Sequence, residues 1–307
     1  MRLHIRSCER ASVLRSRWHS RYYSSWFLAP ALLVFGVFFI LPNLANLFLG
    51  FSDWTIFYLY EFTFNGLSNF KTLFSEGTFW IALKNTLYFT ALTVVVKLAG
   101  GFLLAVLVSR KTRFNSALRA VLFLPVMISG IVVGIVFVAI YNPQSGIINT
   151  FLRSIGLGVL AREWLVDIRW AMTSICAMEI WQWLGFHMAV FVAGIQSIPE
   201  EYYEAAKIDG ANGFQRTREV TLPLMIPSIS VNFVFSLIAG VKVFTQVFST
   251  TNGGPADATQ VFGTFLYKTF SDGLLGYSAS VGLIMTVVIL FLTLLSLPVL
   301  RRAEVQL

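Results

Sequence analysis

Six long apolar runs bounded by polar or basic residues divide this chain, roughly Trp26–Leu49, Trp80–Ser109, Leu118–Tyr141, Trp170–Ile195, Leu224–Phe248 and Tyr277–Leu300. About twenty apolar residues in a helix cross a bilayer core, so each run predicts one membrane span and the fold class is all-α. The second run is long enough to tilt or to extend beyond the bilayer. Between the fourth and fifth runs the pattern turns polar over residues 196–223. Ser197 stands three before Glu200, a pattern for capping a helix start, and Pro199 suits an early helical position. Asp209-Gly210 signals a stop, and Asn212 three before Gln215 a second start. The segment reads as helix, turn, helix at the membrane surface, a shape fitted to a partner's groove.

Composition agrees with the membrane reading. Apolar residues make up 56% of the 307 positions and charged ones 12%, whereas a soluble domain carries roughly a quarter charged residues. The mean hydropathy is +0.72. An even number of spans puts both ends on one side, and the distribution of Lys and Arg selects which. One side would carry Arg2, Arg6, Arg10, Arg15, Arg17 and Arg21, then Arg110, Lys111, Arg113 and Arg119, then Lys207, Arg216 and Arg218, and finally Arg301 and Arg302. The other would carry Lys71, Arg153, Arg162, Arg169 and Lys268. Both termini and the loop around Glu204 are therefore expected in the cytoplasm. The net charge of +8 is explained by cations beside anionic lipid and calls for no nucleic acid. Residues 1–25, with Glu9 their one acid, read as a basic cytoplasmic tail; a transit-type leader and a start placed too far upstream are the alternatives. Cys8 and Cys176 suggest no disulfide, and His4, His19 and His187 have no metal-ligand spacing. No phosphate-binding Gly-Lys-Ser/Thr loop occurs, so any ATP is bound by another chain. No internal repeat is evident, which weighs against a transporter built from inverted halves.

The polar loop runs Glu204-Ala205-Ala206, three residues, Gly210, nine residues, Val220-Thr221-Leu222-Pro223. It resembles the signature loop of ABC importer permeases, with Val220 for Ile the one departure, and Asp209-Gly210-Ala211 is similar to its sugar-importing members. Thr251-Asn252-Gly253-Gly254-Pro255, followed by Thr259, is by composition a rigid turn. It resembles the element after the fifth span of the maltose/glycerol-phosphate-type first permease subunit of carbohydrate importers. The resemblance covers Trp26 to about Leu300. It implies a MetI-like fold: a tail at 1–25, a six-span permease domain at 26–300 and a tail at 301–307. It implies a bacterial or archaeal plasma (inner) membrane, no enzyme activity and no cofactor of its own. The partners implied are a second related permease, two ATPase subunits and an extracytoplasmic sugar-binding protein, with lipid around them. Glu204, Ala205, Ala206, Asp209, Gly210 and Ala211 would dock in a cleft of the ATPase. Residue chemistry suits this: two alanines keep the helix slim, Glu204 can take a charge-assisted bond, and Gly210 permits a tight reversal. For Asp209 the plainer role is to fix the turn locally.

Polar groups inside spans usually face the bundle interior or a water-filled path. On helical spacing, Asn232, Ser236 and Gln246 share one arc of the fifth run, with Lys242 at its margin, while Glu179, Gln182, Trp183, Phe186 and His187 share one of the fourth. Trp181 points away. Gln182, Trp183, Phe186, Asn232, Lys242 and Gln246 are candidates for a sugar path; ordinary interhelical hydrogen bonding competes for each. Lys97, deep in the second run, calls for a buried partner such as Glu179, Lys242 can snorkel, and His187 reads as a satisfied core histidine. Gly130 and Gly134 allow close helix approach, within the chain or against another permease. The alternatives to sugar import are a glycerol-phosphate or polyol cargo, for which Lys242 is the hint, and an ion-coupled transporter using Glu179 and Lys97. A membrane enzyme finds no nucleophile or metal set.

Overall fold

The computed structural model describes residues 25–58 and 60–303, with side chains for 26–58 and 60–298. The basic tail with Cys8, His4 and His19 lies outside the described residues, as do residues 304–307 and the side chains of Arg301 and Arg302. The described chain is helical, and its one β feature is an isolated bridge between Ser52 and Phe64.

The described residues fall into two compact units, one ending at Leu49 and the other beginning at Gly50. The first contains α1 (Trp26–Leu49). Its Gly36–Ile40 turn is a π turn in which the Leu41 N–H reaches back to the Gly36 carbonyl. Pro42 follows at once; it has no N–H to offer and crowds the carbonyl four residues earlier, so the wider turn relieves that clash.

The second unit is built on α3 (Gly77–Val108) and α7 (Ala171–Ser197), preceded by the short α2 (Ser68–Ser75). At 1.5 Å per residue α3 is about 48 Å long and α7 about 40 Å, more than the ~30 Å of a bilayer core. Around them lie α4 (Arg113–Phe123), α5 (Gly130–Ile140), α6 (Ile147–Ser154), α8 (Glu200–Ile208), α9 (Gly213–Leu224), α10 (Ile226–Val241), α11 (Thr245–Thr250), α12 (Phe262–Ser271) and α13 (Leu275–Ala303). Three apolar clusters hold the unit. One joins Phe89, Val133, Ile175, Met178, Val243 and Val247. A second joins Ala105, Val108, Met188, Phe191 and Met225. The third joins Leu73, Phe79, Phe262, Phe265 and Val281.

Four of the described helices are long and apolar enough to cross a membrane, and six spans result when two bent pairs each count as one. The third and fifth runs are thus not the continuous helices their hydropathy predicts. In the third, the segments Arg113–Met127 and Gly130–Ile140 meet at 95°. Pro125 lies in a 3-10 turn there, and Ile128 and Ser129 have extended backbone. At the start of the fifth, α10 meets α9 of the preceding polar segment at 68°, between Pro223 and Pro227, and within the run the helix stops at Lys242, before α11. Val243 turns into the first cluster, while the Phe244 ring packs on Phe248 at 5.0 Å and Tyr267 at 5.3 Å. The helix is interrupted between Lys242 and Phe244, and this breaks the 100° arithmetic that put Gln246 on one arc with Asn232 and Ser236.

The C-terminal halves of the third and fifth runs pack on each other. A Cβ on Gly130 would lie 3.1 Å from Thr245 Cγ2, and one on Gly134 would lie 2.6 Å from Ser249 Cβ. The small-residue pair is therefore used within the chain, against α11. Gly134→Val should push these helices apart and cost about 1–3 kcal/mol, the usual range for overpacking. Thermal unfolding in detergent measures it, and an unchanged midpoint would show that the contact does not limit stability.

Candidate functional site

Two regions carry polar chemistry: a cluster inside the helix bundle, and the hairpin of α8 and α9 beyond it.

At the centre of the bundle Lys97 and Glu179 form an ion pair, Nζ to Oε1 at 3.1 Å, with 1% and 6% of the side chains exposed. The second carboxylate oxygen accepts a bond from Gln246 Nε2 at 2.7 Å. One turn along α7, Gln182 Nε2 donates to the Ile128 carbonyl at 2.9 Å. That carbonyl lies where the third run leaves helical geometry. Gln182 Oε1 is buried without a partner. The cluster thus joins α3 and α7 to the residues beside both breaks.

The six path candidates divide. Gln246 is held by the Glu179 carboxylate and Gln182 by the Ile128 carbonyl at the break of the third run. Trp183 packs edge-on to Phe186 at 6.0 Å, and Phe186 lies 5.0 Å from Phe235 of α10. Phe235 was not among the candidates, because only packing across helices places it there. Asn232 is engaged elsewhere: His187 Nδ1–H donates to its Oδ1 at 3.0 Å, and its Nδ2 donates to the His187 carbonyl at 3.4 Å. This is interhelical bonding, with His187 a satisfied core histidine. Lys242 is exposed at the end of α10. Trp181 packs 5.3 Å from Phe137, away from this cluster.

Gln246→Leu should leave Glu179 short of one donor, a loss of about 1–3 kcal/mol for a buried acceptor. The expected result is slower uptake at unchanged abundance; unchanged uptake kinetics would remove Gln246 from the path.

In the hairpin, the expected Ser197–Glu200 cap does not form. Ser197 is still inside α7, and its hydroxyl donates to the Gly194 carbonyl at 2.7 Å. Pro199 takes the N-cap position of α8 rather than an early helical one. The long span simply continues through the serine, which a three-residue spacing cannot reveal. The stop and second start are as the sequence predicts. The Ala211 N–H reaches the Ala206 carbonyl at 2.9 Å and the Gly210 N–H the Lys207 carbonyl at 3.1 Å. This crossed pair requires a left-handed residue, and Gly210 has φ +81°. Asp209 makes no ion pair or side-chain bond among the described contacts and is the C-cap. Asn212 and Gln215 exchange bonds of 3.0 and 2.8 Å. Tyr203 ties α8 to α9 through Thr221, hydroxyl to hydroxyl at 3.1 Å.

Glu204, Ala205, Asp209 and Gly210 are exposed, and Ala206 and Ala211 half-buried. Ala206, Asp209, Gly210 and Ala211 border a recess of about 420 Å³, shared with Gln215, Arg216, Glu219 and Val220. Ile208 and Phe214, 86% and 75% exposed, stand on either side of the turn. Large exposed apolar side chains with a polar surround mark an interaction surface. A search for chemistry-bearing residues passes over these two, although two apolar residues beside a polar turn were the available signal.

The Thr251–Pro255 element is a closed turn. Thr251 and Thr259 hydroxyls lie 2.6 Å apart, and the Thr259 hydroxyl donates to the Gly254 carbonyl at 2.6 Å. Asn252 and Gly253 have φ +47° and +91°. Asn85 braces the turn from α3, donating to the Ala258 and Gln260 carbonyls at 3.0 Å each. Asn85 was also missed, because its partners lie more than 170 positions away.

The family described as binding-protein-dependent transport system inner membrane component matches residues 97–304. A probable ABC transporter permease protein of Bacillus subtilis, YurN, is 36% identical over 274 residues, covering 88% of this chain and 93% of that protein. The multiple sugar-binding transport system permease protein MsmF of Streptococcus mutans is 31% identical over 287 residues, 93% of this chain and 98% of that protein. Among solved structures, a chain of a bacterial alginate ABC transporter, in complex with an alginate pentasaccharide-bound periplasmic protein, superposes with a TM-score of 0.76. It is 25% identical and covers 96% of each chain.

Proposed function

This chain belongs to the binding-protein-dependent transport system inner membrane component family, and from that membership we propose that it is the permease subunit of an ATP-driven sugar importer. It would work beside a second related permease, two ATPase subunits and an extracytoplasmic sugar-binding protein. The observation that carries the reading is the α8–α9 hairpin, a locally rigid, exposed projection between two apolar spans. The first bent pair serves as one span and α10 with α11 as another, giving six, with residues 26–300 as the permease domain and both termini and the hairpin in the cytoplasm of a bacterial or archaeal cell. The Lys and Arg excess on that side supports this sidedness.

Glu204, Ala205, Ala206, Asp209, Gly210 and Ala211 form the surface that an ATPase cleft grips, with Ile208 and Phe214 as apolar anchors. ATP closes the ATPase pair, the hairpin moves with it, and the two permeases rock between inward- and outward-facing states. The sugar passes beside Gln182, Trp183, Phe186 and Gln246, where aromatic faces meet polar groups. Asn232 contributes less, through its bond to His187. A second reading keeps the machine and changes the cargo: Lys242, an exposed cation at the helix break, would favour a phosphorylated polyol.

The test is to purify the tagged chain from its own membranes and identify what accompanies it. An ATPase and a second permease, together with sugar uptake that stops without ATP, are the expected result. Uptake by the chain alone, driven by an ion gradient, would overturn the proposal.

A further inference from the structure

We propose that the groove between α4 and α7 holds an acyl chain of an anionic phospholipid, whose phosphate rests on Arg119. The groove has a volume of about 420 Å³, within the roughly 300–1,000 Å³ of small-molecule sites. Its walls are Ala120 and Phe123 from α4 and Met188, Ala189, Val192 and Ala193 from α7. Its polar members are Arg119 and Gln196. Gln196 Nε2 donates to the Ser109 carbonyl at 3.5 Å, and these two residues stand at the ends of α7 and α3. The polar end of the groove is therefore at the edge of the bilayer, where a headgroup sits, and its apolar length follows the span inward.

Charge selects the occupant. Arg110, Lys111, Arg113 and Arg119 fall within ten residues, and no acid occurs between Glu76 and Glu163. Among the described residues Arg119 bonds to neutral groups of its own helix, the Asn115 carbonyl at 3.3 Å and the Ser116 hydroxyl at 3.0 Å. Glu200, Glu201 and Glu204 follow α7 in sequence, yet among the described residues the one ion pair is Lys97 with Glu179. The cations are thus left for an external anion. Phe114 and Val121, 74% and 65% exposed, lie along α4 beside them. Exposed apolar side chains next to uncompensated cations suit an anionic lipid boundary. A helix of a second permease could fill the apolar part but would bring no phosphate to Arg119.

The inference rests on the family reading only for placement in a membrane; cargo and coupling do not enter, and uptake is not its readout. The purified full-length chain in detergent is titrated with dioctanoyl phosphatidylglycerol or dioctanoyl phosphatidylcholine, and bound lipid is counted by native mass spectrometry. Phosphatidylglycerol should bind at about a fifth of the concentration or less, since each cation near a headgroup is worth about fivefold. Arg119→Gln should remove that preference and Arg119→Lys should keep most of it. Ala193→Trp fills the groove and should abolish both adducts; Ala189→Leu is the milder filling should the first misfold. Equal binding of the two lipids, or adducts that survive both Arg119→Gln and groove filling, would overturn the proposal. So would an Ala193→Cys variant that cross-links to a co-purified permease while no lipid adduct is seen.

Discussion

Gly210→Pro is expected to abolish ATP-driven uptake while the chain still reaches the membrane at normal abundance. Proline holds φ near −65°, whereas Gly210 sits at +81°, so the substitution cannot be absorbed at that residue. It also deletes the N–H that reaches the Lys207 carbonyl. A proline further disfavours helical backbone at the residue before it, and Asp209 has φ −72° and ψ 0°. Together these disrupt the reversal by about 3 kcal/mol or more. The damage stays local, because Gly210 is exposed and belongs to none of the three apolar clusters. A left-handed alanine costs only about 1–2 kcal/mol, so Gly210→Ala should slow uptake and not stop it. Uptake rate set against membrane abundance is the measurement. Full uptake by the proline variant would remove the hairpin from the coupling step.

Lys97→Met should be the most destabilising single change in the bundle. It leaves the buried Glu179 carboxylate without its counter-charge, with the neutral Gln246 amide still donating to it, and breaking one side of a buried pair costs about 3–5 kcal/mol. Glu179→Gln strands the ammonium in the same way. The double variant Lys97→Met with Glu179→Gln leaves no buried charge, and its amide can still meet Gln246. Its thermal midpoint in detergent should return most of the way to that of the parent. Losses that merely add would show that the two residues act independently. The double variant also separates two roles for the pair. Stability and uptake restored together make it structural, whereas stability restored without uptake makes charge at this position part of transport.

The single-residue expectations diverge for an identifiable reason. Lys97 and Glu179 could be matched from sequence because a lone charge in an apolar run must find an opposite charge. Gln246 could not be matched to Glu179, since the break at Lys242 rotates α11 away from the helical arc. The Ile128 carbonyl could leave the third helix because Gln182, 54 positions later, supplies the missing donor. Ser197 has the right neighbours for a cap and still stays inside α7.

By itself the sequence determined the features set by short-range physics. These are the apolar runs, the α8 stop at Gly210, the Asn212–Gln215 start, and the closed turn from Thr251 to Thr259. Each depends on hydropathy or on backbone geometry within a few residues. Only the tertiary structure decided where the third and fifth runs break, which helix Gly130 and Gly134 press against, and which polar groups of the bundle are already engaged. Those outcomes depend on donors, acceptors and side-chain volumes from distant segments. A helix inside a membrane keeps its backbone bonds unless another part of the fold offers replacements.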